Sequence, residues 1–307
     1  MVAVLRTPDE RFAGLTEAGE AAYADVPFLD DQPTRMAYLD VSPSDSAVDG
    51  EPGVVVLLHG EPTWSYLYRT MIPVLTGAGL RVVAPDMIGF GRSDKPVAVS
   101  DHTYARHVSS LKALLVDHLR LSDATVVGQD WGGLIGLRLV AAQPDRFARV
   151  AVGNTGLPDG RGEPSEAFMQ WQKFSQESPV FPIGTIIDGG CATTLSPEVI
   201  AAYDAPFPDD SYKAGARIWP SFVPVSADDP EAPANREAWK ALERFDRPFL
   251  CCFSDQDPVT GGGERAFIGR VPGADGQAHT TIIGGGHFLQ EDCGPELAQV
   301  LIDFIAA

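Results

Sequence analysis

Positive charge is scarce in this chain: 23 lysines and arginines stand against 42 aspartates and glutamates, a formal net charge of −19. So acidic a surface argues against nucleic acid or an anionic membrane as a partner and favours solubility. Cysteine is also sparse. Cys191, Cys251, Cys252 and Cys293 show no C-x-x-C spacing, so neither a disulfide framework nor a thiolate metal site is expected. Cys251 and Cys252 fall in an apolar run, where cysteine behaves as a small hydrophobe. No apolar stretch approaches the ~18 residues of a membrane span. Residues 1–6 carry too little apolar character for a signal peptide, so a cytoplasmic protein is the expectation. The glycine-spaced loop 87–94 lacks the lysine of a phosphate-binding loop, and no helix start follows it directly, which excludes nucleotide binding. Internal repeats and low-complexity tracts are absent.

What remains is an ordinary globular composition, 44% hydrophobic, with ample sequence to bury a core. From 54 to 153, short apolar, β-branched runs alternate with stretches of helical spacing, the pattern of βαβ units and a mostly parallel sheet. That rhythm breaks after residues 149–154. The next stretch is rich in proline and aromatics with short helical pieces, and sheet-type sequence resumes at 248. The expected fold class is therefore α/β, with a mostly parallel sheet flanked by helices. The core would comprise 1–154 and 231–307, and an inserted helical cap, 155–230, would cover the C-terminal edge of the sheet. Residues 227–235 are expected to be the return linker.

The chemistry is concentrated at Gly128-Gln129-Asp130-Trp131-Gly132. An apolar run at 124–127 precedes it and a helical pattern follows, so the spacing is that of a nucleophile elbow, where a sharp strand-to-helix turn lifts one side chain above the sheet. Here that side chain is Asp130 rather than a serine. A carboxylate is ionised at neutral pH and can attack without losing a proton. Displacement at a saturated carbon would give an enzyme ester that water can reopen, whereas serine would give an inert ether. Alkyl halides and epoxides are the two substrate classes that suit this chemistry.

Hydrolysis of such an ester needs a base, an acid to orient it, and donors for the oxyanion. In the α/β-hydrolase arrangement the chain order is nucleophile, acid, histidine. His287, on the glycine loop after the strand-like run 280–283, is the expected base. Asp257, after the run 248–253, is the expected orienting acid, with Asp255 as the second choice. The apolar strand 54–58 leads into His59-Gly60-Glu61, which places Glu61 N–H beside Trp131 N–H as the oxyanion donors.

With these residues in view, the chain resembles the haloalkane dehalogenases of the α/β-hydrolase superfamily nearly end to end. The likeness is carried by RTPDERF at 6–12, HGEPTWSYLYR at 59–69, MIGFGRSDKP at 87–96, VVGQDWGG at 126–133, AYDAPFPDDSYKAGAR at 202–217 and GGGHFLQE at 284–291. The resemblance implies Asp130 as nucleophile, His287 as base and Asp257 as its acid. It also implies two halide-binding tryptophans, Trp131 and, from the cap, Trp171, with Phe168 in the substrate pocket. In other branches of the family an asparagine stands where this chain has Glu61, which agrees with the assignment to a cap tryptophan. The implied partners are a small halogenated alkane, water and a halide ion, with no cofactor and no metal. Two alternatives stay open. An epoxide hydrolase would share the aspartate and histidine but need cap hydroxyls, for which Tyr203 and Tyr212 are the candidates; a non-catalytic binding relative would need none of the three polar residues.

Overall fold

The computed structural model describes residues 3–30, 32–43 and 53–307. Its strands are β1 (Val4–Leu5), β2 (Ala22–Val26), β3 (Thr34–Val41), β4 (Val54–Leu58), β5 (Arg81–Pro85), β6 (Lys95–Pro96), β7 (Ala124–Gln129), β8 (Phe147–Gly153), β9 (Phe249–Ser254) and β10 (Thr280–Ile282). The α-helices are α1 (Ile72–Gly77), α2 (Tyr104–Lys112), α3 (Trp131–Ala142), α4 (Glu166–Glu177), α5 (Ile183–Gly190), α6 (Pro197–Asp204), α7 (Ala214–Ile218), α8 (Ala232–Leu242), α9 (Glu264–Arg270) and α10 (Leu289–Ala306). An eight-stranded sheet runs in the order β10-β9-β8-β7-β4-β5-β3-β2. The six strands from β10 to β5 are parallel, as the alternating pattern predicts, while β3 and β2 join antiparallel at one edge. The sequence reading does not anticipate those two edge strands.

Parallel strands covered by helices on both faces read as continuous apolar runs rather than alternating ones. Strands β4, β7 and β9 show this: every residue of β7 and β9 is buried, as are four of the five in β4. Strands β7 and β4 occupy the middle of the sheet, so the loops at their C-terminal ends lie beside each other and beneath whatever covers that edge. Helices α4 to α7 lie between β8 and β9 in the chain, in the interval where aromatic and proline residues gather.

Two expectations need correction. The stretch 227–235 is a linker only in its first part, because α8 begins at Ala232. Pro233 sits in the first turn of that helix, where a missing N–H costs nothing, and Asn235, Ala238, Trp239 and Leu242 recur at helical spacing on its buried face. Arg138 of α3 anchors it, donating from Nε to Asn235 Oδ1 at 2.6 Å and from a terminal nitrogen to Glu231 Oε2 at 2.8 Å. The run 280–283 also ends one residue early: β10 stops at Ile282, and Ile283 is exposed in the turn.

Candidate active site

Asp130 sits between β7 and α3 with φ +50°, a conformation that side chains other than glycine rarely adopt. The glycines around it let the turn close. A Cβ on Gly132 would collide with the Leu58 carbonyl of β4, and one on Gly60 would collide with the Asp130 side chain. The backbone is held by Asp130 N–H donating to Asn154 O at 2.9 Å, and by the Thr155 hydroxyl donating to Asp130 O at 2.7 Å. This bracing fixes the direction of the carboxylate, whose Oδ1 accepts the Glu61 N–H at 2.7 Å. Trp131 is the first residue of α3, where a backbone N–H has no partner within the helix.

His287 lies across from this carboxylate, with Nε2 3.6 Å from Asp130 Oδ2 and Nδ1 3.1 Å from Asp257 Oδ2. The loop that carries His287 is pinned from several sides. His287 N–H donates to Gly190 O at 2.7 Å, at the end of α5, and Gly286 N–H donates to Asp292. Asn154 Nδ2 donates to Gly286 O and His287 O, and Gln129 Nε2 donates to His287 O at 3.1 Å. Neither Gln129 nor Asn154 is given a role by the sequence reading. Gln129 adjoins the elbow residue and so lay within reach of the motif, but Asn154 acts through its position beside β9, which only the sheet order reveals.

Asp257 is fully buried at its side chain and also accepts the Val259 N–H and the Thr260 N–H and hydroxyl. Burial alone would raise its pKa, yet the charge and hydrogen bond of His287 together with these donors bring it down to about 2. Asp255, the second choice, is exposed and accepts the Gly284 N–H instead. For His287, burial disfavours the imidazolium, but Asp257 and Asp130 outweigh it and push the pKa up to about 10. The histidine is thus a cation between two carboxylates while Asp130 is free.

A cavity of about 1010 Å³ opens above this constellation, lined among others by Glu61, Asp130, Trp131, Phe168, Trp171 and His287. The five tryptophans of the chain divide clearly around it. Trp64 is in the core and does not line the cavity. Trp219 donates Nε1–H to His107 Nε2 at 2.7 Å, and Trp239, which lines the cavity, donates its own to Leu157 O at 2.7 Å. Trp131 and Trp171 are the remaining two, and both line the cavity. Trp131 is held edge-on by Tyr104 at 4.9 Å and tilted against Trp219 at 5.0 Å, and Trp171 packs on Phe174 and Phe181 at 5.8 and 5.7 Å. Tyr203 and Tyr212 are not among the cavity residues. The Tyr203 hydroxyl donates to Glu291, which also receives Arg69 in a bidentate pair. Among the described residues, no group of three or more His, Cys, Asp or Glu is arranged to hold a metal ion.

A sheet whose central strand delivers an acidic elbow, backed by a histidine and a second acid from later strands, defines an α/β-hydrolase site, and the family model described as alpha/beta hydrolase fold matches residues 53–292. A haloalkane dehalogenase of Psychrobacter cryohalolentis is 54% identical over 303 residues, covering 98% of each chain. One of Mycobacterium marinum is 51% identical over 302 residues, covering 98% of this chain and 99% of the other. The solved structure of haloalkane dehalogenase DpaA from Paraglaciecola agarilytica, described as tetrameric, superimposes with a TM-score of 0.86 at 36% identity over 97% of each chain. The chain belongs to the haloalkane dehalogenases.

Proposed function

We propose that this hydrolase of carbon–halogen bonds works through an ester formed on Asp130. The observation that carries the reading is the placement of one carboxylate against a backbone donor on one oxygen and an imidazole on the other, in the wall of an aromatic-lined cavity. Asp130 attacks the halogenated carbon, the carbon–halogen bond breaks, and the halide leaves with the electron pair. Indole N–H groups donate and cannot accept, so Trp131 and Trp171 suit a weakly hydrated anion that must be held while it forms and then released. An oxyanion-hole donor is worth about 2.7–4 kcal/mol at its transition state, and the halide pair is expected to be of that order. Phe168 contributes apolar wall to the substrate pocket.

Esterification removes the negative charge from Asp130. His287 then loses one of the two anions that keep it cationic, gives up its proton to solvent, and becomes able to accept one from water. The hydroxide adds to the Asp130 carbonyl carbon, the oxyanion is received by Glu61 N–H and Trp131 N–H, and collapse releases the alcohol. The balance is alkyl halide plus water to alcohol, halide and a proton. Asp257 positions His287 and holds its charge throughout. Residues 155–230 act as a cap over the sheet edge, and residues 1–154 and 231–307 form the core. Supporting a cytoplasmic setting are the acidic composition and four free cysteines, which fit a reducing compartment. No helix among the described residues is long and apolar enough to cross a membrane.

The test is halide release and acidification over a panel of bromo- and chloroalkanes. Turnover is expected from the native chain and none from Asp130→Asn, and an active Asp130→Asn variant would overturn the assignment. The epoxide alternative is not favoured, since the cap tyrosines on which it depends do not reach the cavity.

A further inference from the structure

One group in the cavity has no part in that mechanism beyond its backbone: the carboxyl of Glu61. Its residue is 3% exposed, it lines the cavity, and its Oε1 is buried with no hydrogen-bond partner. The charged and titratable groups that face it are few. Asp130 is held by Glu61's own N–H, and His287 lies beyond, already shared between Asp130 and Asp257. His59, on the preceding strand end, takes the Met87 N–H on Nε2 at 2.9 Å, so its proton sits on Nδ1 against Gly60 O and the ring is neutral. Arg270, Asp159 and Glu163 also line the cavity; Arg270 is paired with Glu243 and stacked on Trp239, and Asp159 is paired with Arg161. Asp130, Asp257 and His287 together already carry one net negative charge. A second, unpaired carboxylate would be buried beside it in a site from which an anion must depart, and buried groups in that situation keep their proton.

We propose that Glu61 is a neutral positioning residue whose carboxyl oxygen holds the Trp171 indole N–H in place and yields it to the departing halide. The proposal rests on the reading of Trp171 as a halide donor. Trp171 lines the same cavity with its indole N–H given to no other described residue, and burial followed by the Asp130 charge holds the Glu61 carboxyl's pKa well above the ordinary range. The neutral form matters for both halves of the exchange. A carbonyl oxygen is a weak enough acceptor for a halide to displace, while a carboxylate would retain the N–H and repel the halide.

Infrared difference spectroscopy of the full chain at neutral pH, with and without bromide, tests this directly. The expected spectrum has the C=O stretch of a protonated carboxyl, missing in Glu61→Gln and shifted when bromide binds. Absence of that band, its survival in Glu61→Gln, or its indifference to bound bromide overturns the proposal. If Glu61→Gln does not fold, the native band is followed with rising pH alongside quenching of tryptophan fluorescence by bromide. Band and quenching must then persist together or vanish together, with affinity falling about tenfold or more on ionisation. Quenching that survives loss of the band, or is lost while the band remains, overturns it. Failure of the underlying reading is recognised separately, as bromide that quenches no tryptophan at any pH.

Discussion

Replacing His287 with glutamine is expected to separate the two halves of the proposed reaction, with the size of the effect set by the structure. His287 Nε2 lies 3.6 Å from Asp130 Oδ2, and the pKa of about 10 depends in part on that charge. At this distance a unit charge is worth roughly 1 to 5 kcal/mol between water-like screening and that of a protein site. Removing it by alkylation brings His287 back toward neutrality, so the base becomes available only once there is an ester to hydrolyse. Glutamine keeps comparable bulk and can be neither cation nor base. Alkylation by Asp130 needs no proton transfer and survives, but hydrolysis loses a general base, worth about 10²–10⁴-fold or roughly 3 to 5 kcal/mol. Rapid-quench measurement with a bromoalkane should therefore show one bromide released per protein molecule and then a near halt. Intact-mass analysis should find the alkyl group, less one hydrogen, added to the chain. Continued turnover near the native rate with no adduct would refute the assignment of His287 and the charge-coupled activation built on it.

The site also contributes to stability with a pH signature. Asp257 is held near 2 against an ordinary value of about 3.8, so its contribution is present above the ordinary value and lost as pH falls through about 2. His287 is held near 10; its contribution is complete below about 6.5 and lost as pH rises toward 10. Thermal unfolding across both windows should show shallower losses in Asp257→Asn on the acid side and in His287→Gln on the alkaline side, and parallel curves for all three proteins would contradict the pairing. Trp171→Phe retains the ring packing on Phe174 and Phe181 but removes the N–H, so kcat/KM for halide release should fall about 10²–10³-fold with little change in unfolding midpoint. Native kinetics in that variant would remove Trp171 from halide binding.

Much of this architecture could be read from local pattern. The apolar runs at β4, β7 and β9 are legible because strands buried on both faces leave no polar positions, and the elbow is legible because few backbones other than a strained turn need glycine at 128, 132 and 133. Of the antiparallel strands, β2 blurs into loop composition because it is half-exposed, and the mostly buried β3 is obscured because Arg35 and Asp40 interrupt its apolar run. Helix α8 was hidden behind prolines and acids that fit a linker as well as a first helical turn. Asp257 and Asp255 could be ranked but not separated along the chain, since both follow β9 within three residues. The fold distinguishes them: one side chain turns inward to Nδ1 of His287, and the other faces solvent and caps Gly284.

By itself the sequence narrowed the reaction to substitution at a saturated carbon followed by hydrolysis, the proposed route, because a carboxylate in the place of a serine can make an ester that water opens, a matter of bond chemistry independent of geometry. It also determined the α/β class, through the period of its apolar residues. Tertiary structure alone decided which groups share the cavity. Two of five tryptophans keep an N–H there because the others are spent on His107 and Leu157 or lie in the core. Glu61 borders the same space and is buried there beside Asp130; desolvation and charge proximity are properties of surroundings assembled from residues more than 200 positions apart.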